Sequence, residues 1–351
     1  MPDCLLYGAY GYTGQLITAE AAQRGITLLL GGRNPEKLQP LADRYNMPYR
    51  AFSLDDTHTL RDVLREVRLV LHAAGPFKFT AQPMIQACLQ VGRHYLDITG
   101  ELETFEYAAS QHEQARAAGV VLMPGVGYDV VPTDCMAAHL KAQLPDAQRL
   151  QLGIASRGGG FSRGTASTMI ENMGYGGAVR QNGKIRKVPA AYRTRGIPFT
   201  SERKMSAMTI PWGDVSTAYY TTGIPNVEVY MAVPPKTIRY AHWQRYLGWL
   251  LRSNWFKKRM LDRVRAGKAG PDADQRSKAS SYVWGRVENE RGEHREARMR
   301  LMDGYTLTAK ASVELSQRTL HATPEPGFHT PASVYGADFI LDFPGTVREN
   351  L

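Results

Sequence analysis

Near the start of the chain, Gly8-Ala9-Tyr10-Gly11-Tyr12-Thr13-Gly14 has the residue types and spacing to hold a phosphate. A GxxGxxG string alone says little, but this one lies between an expected first strand (4–8) and an expected first helix (12–24). Glycine permits a tight turn and lets backbone approach a pyrophosphate, while Gly14 allows close packing of helix on strand. The helix N-terminus then offers N–H groups and a partial positive charge to phosphate oxygens, with Tyr10, Tyr12 and Thr13 lining the turn. The plain alternative is a glycine turn without a ligand.

The expected second strand ends in Leu30-Gly31-Gly32-Arg33-Asn34. NAD-binding folds usually place a carboxylate there to hold the ribose 2′-hydroxyl. Arg33 occupies that place, and a guanidinium pairs with a 2′-phosphate that a carboxylate would repel. Lys37 lies one helical turn further on. The expected cofactor is therefore NADP(H), with Arg33 as its selector. Asp55 follows the third strand, where it either reaches the adenine edge or belongs to a helix cap. Ala73-Ala74-Gly75-Pro76 follows the fourth, and small residues there let backbone approach the ribose and nicotinamide.

Hydride transfer is the cofactor's chemistry, so the protein must orient a substrate and supply a proton. Tyr128 is the expected proton donor and Asp129 the orienting group, with Tyr95 and Asp97 around the fifth strand as further catalytic candidates. Glu101 and Asp134 lie close to these in sequence. Each has a plain structural alternative: Asp129 capping a loop, Asp134 assisting a helix start, Tyr95 packing. No Tyr-x-x-x-Lys pair occurs, which argues against a short-chain dehydrogenase, and no HExxH or Cys/His cluster suggests a metal.

These segments together resemble the saccharopine dehydrogenase-like NADP-binding reductases, with the trans-acting enoyl reductases as the group most alike. The resemblance rests on the glycine turn, Gly32-Arg33, Ala74-Gly75-Pro76, Tyr95-Leu96-Asp97-Ile98-Thr99-Gly100-Glu101 and Gly127-Tyr128-Asp129-Val130-Val131-Pro132-Thr133-Asp134. It implies an α/β fold: a Rossmann-type parallel sheet with an inserted α+β domain containing a mixed sheet. The expected division gives 1–127 and 322–351 to the NADP-binding domain and 128–321 to a substrate and dimerisation domain, so a homodimer is one expected assembly. The substrate is expected between the domains. Enoyl reduction of a hydrophobic or acyl compound, free or carrier-bound, leads; imine or carbonyl reduction and NADPH binding without turnover stay open.

At 351 residues the chain exceeds the usual size of one core, and its 43% hydrophobic and 22% charged composition is ordinary for a globular protein. Short strand-like runs alternate with helix-like stretches over the first ~125 residues, the pattern of a parallel sheet. Beyond it, helices are expected at 132–141, 166–179, 213–223, 240–264 and 305–320, with a hairpin formed by 282–290 and 294–302. Cys4, Cys88 and Cys135 are too few and too dispersed for a disulfide framework.

The net charge of +10 is local. Residues 236–300 hold 17 Lys/Arg against 7 Asp/Glu, and the rest of the chain is balanced. Within them, Trp243, Tyr246, Trp249, Trp255 and Phe256 alternate with Arg245, Arg252, Lys257, Lys258 and Arg259. This segment either meets an anionic membrane, meets an acidic carrier protein or lipid, or covers its own domain with the aromatics turned inward. No nucleic-acid module accompanies the charge, so nucleic acid is not expected. No basic leader opens the chain and no apolar run reaches membrane-spanning length. A cytoplasmic protein, with peripheral contact to the inner face of the membrane as an option, is the resulting expectation.

Overall fold

The computed structural model of the chain describes residues 2–351, without the side chains of residues 244–247. Strands and helices alternate through β1 (Cys4–Tyr7), α1 (Tyr12–Gln23), β2 (Leu29–Gly32), α2 (Pro35–Tyr45), β3 (Tyr49–Ala51) and α3 (Thr57–Arg65). They continue through β4 (Leu69–His72), α4 (Phe77–Val91), β5 (His94–Asp97), α5 (Leu102–Ser110), α6 (His112–Ala118) and β6 (Val121–Met123). Local chemistry sets several of these boundaries. Asn34 accepts the Lys37 N–H as N-cap of α2, with Pro35 at the first helical position. The left-handed Gly92 ends α4.

The chain then forms α7 (Val131–Gln143), β7 (Arg149–Arg157), α8 (Arg163–Glu171), β8 (Gly177–Gln181), β9 (Lys184–Val188), β10 (Thr194–Ile197) and β11 (Met205–Thr209). Next come α9 (Asp214–Thr222), β12 (Asn226–Ala232), α10 (Pro235–Leu251), α11 (Asn254–Ala266) and α12 (Ala273–Lys278). The hairpin strands β13 (Ser280–Glu288) and β14 (His294–Leu301) precede α13 (Gly304–His321), β15 (Gly327–Phe328), α14 (Pro331–Tyr335) and β16 (Val347–Asn350).

Two compact units result: Met1–Val131 with Tyr305–Val334, and Pro132–Gly304 with Tyr335–Leu351. The first holds a parallel seven-stranded sheet in the order β15-β6-β5-β4-β1-β2-β3. The order reverses between β1 and β4, where open α/β sheets bind ligands at their carboxyl edge. Every residue of β1 and β4 is buried, as befits strands covered on both faces.

The second unit holds a nine-stranded mixed sheet along β10-β11-β12-β7-β13-β14-β16, with β8 and β9 off this path. Its β12–β7 pair is parallel, and the other pairs are antiparallel. Neighbouring residues of β13 serve its two faces. Trp284 joins a core with Ile197, Phe199 and Tyr230. Gly285 lies so close to α7 that an added Cβ would stand 2.6 Å from Leu140.

Several expectations are corrected. The helix expected over 166–179 stops at Glu171, because Gly174 and Gly176 take positive φ before β8. The helix expected over 240–264 breaks into α10 and α11, where Ser253 accepts the Phe256 N–H as a new N-cap. Helix α13 lies in the first unit, joined to α1 by Arg24–Glu314 and Lys310–Glu20 ion pairs, whereas the expected division gave it to the second. Residues 335–351 belong to the second unit, because β16 extends its sheet on β14.

The α1–β1 packing depends on the missing side chain of Gly14, whose Cβ would lie 2.3 Å from the Gly8 carbonyl oxygen. Gly14→Ala is expected to cost roughly 1–3 kcal/mol in urea denaturation, the usual range for overpacking. Gly160→Ala, which meets open space, serves as the neutral control. Equal stability of the two variants would contradict this packing.

Candidate nucleotide site

Gly8 leaves β1 with a φ of 92°, a conformation that favours glycine. Its N–H and that of Ala9 both donate to the Gly31 carbonyl, at 2.9 and 3.1 Å, which locks the turn to the end of β2. A Cβ on Gly8 would stand 2.8 Å from backbone atoms of Ala73 and Ala74. The turn and the loop after β4 are thus in direct contact, joined also by the Ala73 N–H to Tyr7 carbonyl bond of 2.7 Å.

Helix α1 starts from Gly11, which has no side chain with which to cap it. Neighbouring helices are capped by the chain itself. Asn34 serves α2, Asp56 serves α3, and the Glu101 carboxylate takes the N–H groups of Phe77 and Lys78 at 2.8 Å each. The first-turn donors of α1 are those an α-helix leaves without internal acceptors, and this end best suits a phosphate. Tyr12 packs edge-on against Tyr305 at 5.0 Å, and Thr13 occupies the first turn.

Arg33 is exposed beyond β2, and no carboxylate is paired with it among the described residues. The Tyr10 ring lies on Gly32, where an added Cβ would be 2.6 Å from its edge, and Lys37 Nζ stands 5.8 Å from the centre of that ring. Burial pushes the Tyr7 phenol up to about 12, opposed by the charge of Arg33 and assisted by Tyr10 and Asp55. Arg33, Tyr10, Lys37 and Asp55 therefore gather around one end of the sheet. Asp55 accepts from Ser53 at 3.1 Å, while its neighbour Asp56 is the helix cap.

The loop Ala73-Ala74-Gly75-Pro76, with a cis Gly75–Pro76 bond, is held from behind by a contact chain that sequence reasoning missed. Buried His72 Nε2 lies 3.0 Å from Thr80 Oγ1, which donates to the Ala74 carbonyl at 2.6 Å. Burial pushes His72 down to about 3, so the imidazole is neutral. The eight-residue separation of His72 and Thr80 across a strand–loop–helix turn was the available clue.

Tyr95 and Asp97 have no exposed surface. The Asp97 carboxylate accepts from Tyr95 Oη at 2.7 Å and from the Thr99 and Gly125 N–H groups at 2.9 Å, tying β5 to the segment after β6. Burial raises Asp97 to about 6 against the pull of these hydrogen bonds. Both residues, named above as catalytic candidates, are thus fully buried and engaged in holding this part of the fold together.

Tyr128 and Asp129 are half-buried just beyond this knot. The Tyr128 N–H donates to Thr308 at 3.0 Å, and its hydroxyl oxygen is buried. The Asp129 carboxylate lies against Gly100, where a Cβ would stand 2.7 Å from its Oδ2. Burial first, then the nearby charge of Glu101, pushes Asp129 up to about 7. This group both holds and releases a proton near neutral pH. Asp134 lies in the first turn of α7, where it accepts from Thr221.

The match to known proteins follows this geometry. Residues 4–123 match the family described as the saccharopine dehydrogenase NADP binding domain. A saccharopine dehydrogenase-like oxidoreductase of Mus musculus is 24% identical over 263 residues, covering 68% of this chain and 59% of the mouse protein. A trans-acting enoyl reductase of Mycobacterium ulcerans (strain Agy99) is 26% identical over 220 residues, covering 58% of this chain and 50% of that protein. The chain thus spans between half and three fifths of these relatives. An apo saccharopine dehydrogenase (L-Glu forming) from Saccharomyces cerevisiae shares the fold, with a TM-score of 0.69 at 12% identity and full coverage of both chains. The glycine turn, the reversed strand order and this match identify residues 4–123 as an NADP-binding domain of the saccharopine dehydrogenase type.

Proposed function

We propose that the protein is an NADPH-dependent oxidoreductase that reduces the C=C bond of a hydrophobic acyl substrate. The observation that carries the reading is Asp129, a half-buried carboxyl packed on Gly100 and pushed up to about 7 by burial and by Glu101, the residue that caps the helix following the loop Ala73–Pro76. The name of the mycobacterial relative, a trans-acting enoyl reductase, supports the choice of C=C over C=N or C=O.

The residues fit the cofactor. The turn Gly8–Gly14 exposes backbone where any Cβ on Gly8 or Gly14 would meet backbone atoms, so the cradle keeps its shape only with glycine there. Arg33, assisted by Lys37, would hold the 2′-phosphate, with Tyr10 beside the adenosine end and Asp55 at its edge. Ala73, Ala74, Gly75 and Pro76 would line the nicotinamide end. Bound NADPH supplies the hydride.

The chain must supply the proton that completes the reduction. A neutral Asp129 carboxyl carries that proton on one oxygen, and Glu101 next to it favours the protonated form. This gives proton delivery to Asp129, where the sequence pointed first to Tyr128. Tyr128 then serves as a neighbouring wall whose backbone is anchored on Thr308.

Arg33→Ala is expected to weaken NADPH binding by about 1–3 kcal/mol and leave NADH binding unchanged, as loss of a charge-assisted contact requires. Equal affinity of the unmutated protein for the two cofactors, measured by calorimetry, would remove Arg33 from the account. For a proton donor raised to about 7, the donating form is lost as pH climbs past that value, so kcat should fall on the alkaline side. Asp129→Asn should lower kcat by roughly 100-fold and abolish that alkaline limb, within the usual span of general acid catalysis. An unchanged pH profile in Asp129→Asn contradicts the assignment. NADPH oxidation should be measured on enoyl thioesters, cyclic imines and ketones. Turnover confined to imines or ketones would replace the proposed substrate class, and binding without any turnover would make this a cofactor-binding protein.

A further inference from the structure

One face of the second unit combines bulky apolar side chains in solvent with a dense positive charge. Tyr240 and Trp243 on α10 are 72% and 64% exposed, Trp249 near its end is 69% exposed, and Trp255 on α11 is 68% exposed. The alternative in which these rings turn inward to cover their own domain is excluded for them. The inward sides are occupied instead by Ala241 and Gly248 on α10 and by Lys257 on α11. The side chains of Arg245 and Tyr246 lie outside what the structure describes.

The same surface continues onto the segments flanking α8. Phe161 and Tyr175 are exposed there. Lys257 joins α11 to this layer, with Nζ donating to the Glu171 carbonyl at 2.7 Å and standing 4.8 Å from the Tyr175 ring. The Arg163 guanidinium reaches the Gly267 carbonyl at 3.0 Å from its Nε. Residues 234–271 contain ten Lys/Arg and a single acidic residue, Asp262.

We propose that this face docks on an anionic lipid bilayer, with the helices α10 and α11 lying in the headgroup layer. The arrangement of charge and rings supports a bilayer as the occupant. Lys258 and Arg259 follow Trp255 by three and four residues, so they share its exposed side of the helix. Lys236 and Arg239 precede Tyr240 and Trp243 by four residues each and are exposed like them. Tyr240, Trp243 and Trp255 are thus each flanked by cations along two helices, rather than gathered with others around one anchor. Indole and phenol rings favour the headgroup level of a bilayer, and the neighbouring cations meet lipid phosphates there. Among the described residues no helix is long and apolar enough to cross the membrane, so the contact is peripheral.

The test is flotation of the full chain with vesicles of phosphatidylcholine alone or with about one third phosphatidylglycerol, which sets the anionic surface potential. The protein should float with the anionic vesicles at low salt and remain behind with the neutral ones. Binding should fall by about tenfold or more at roughly 0.5 M salt, where surface charge is screened. The pairs Trp249→Ser with Trp255→Ser, and Lys258→Glu with Arg259→Glu, should each lower it by about tenfold or more while leaving the thermal unfolding curve unchanged. Tryptophan emission of the unmutated protein should shift to shorter wavelength on adding anionic vesicles. Absence of flotation at low salt, or flotation indifferent to both pairs of substitutions, overturns the proposal. So does binding to an acidic acyl carrier protein that the same substitutions abolish while vesicles are ignored, which would assign the face to a protein partner.

Discussion

The nucleotide site depends on one steric constraint: the backbone of Gly8 must sit against that of Ala73 and Ala74, and Gly14 against Gly8. An added Cβ at either position would lie within 2.3–2.9 Å of main-chain atoms that have no room to move. This closeness sets the end of β1, the start of α1 and the loop after β4 in one arrangement. It also brings together the segments that would hold the pyrophosphate and the nicotinamide end of a dinucleotide. The left-handed φ of Gly8 adds a second reason for glycine, since a side chain would be strained there even with space around it.

Around that constraint the chain uses carboxylates in three ways at one edge of the sheet. Asp97 is consumed by internal hydrogen bonds and holds β5 to the segment after β6. Glu101 is consumed as the cap of α4, which removes that helix end as a rival anion site. Asp129, held against Gly100 beside Glu101, is left with a proton affinity near neutrality. A division of labour among three nearby acids is thus produced by burial and by which backbone donors each can reach.

What was legible in the sequence was local. The glycine turn, the Asn34-Pro35 helix start and the hairpin of β13 and β14 each declare themselves within a few residues, and all appear in the structure. Elements defined by distant partners were not legible. Strands β8 to β11 are only four or five residues long, and they exist because they pair with one another or with β12. The place of β16 is set by β14, roughly fifty residues earlier, and that of α13 by the broad face it buries in the first unit, where an ion pair ties it to Arg24 almost three hundred residues away. In the site, Arg33 and its neighbours were readable because they follow a strand end. The burial that reserves Asp97 for structure and raises Asp129 depends on contacts that spacing does not encode. Likewise, spacing leaves the basic segment open to an inward or an outward aromatic face, and the exposure of its rings separates the two.

Selection of NADPH rests on the loop after β2 receiving a phosphate on the adenosine ribose. A crystal structure of the protein with NADP⁺ measures this directly. The 2′-phosphate should lie within hydrogen-bonding distance of the Arg33 guanidinium, with the pyrophosphate over the first turn of α1. A 2′-phosphate directed into solvent away from Arg33, or a dinucleotide bound outside the Gly8–Gly14 turn, would contradict it.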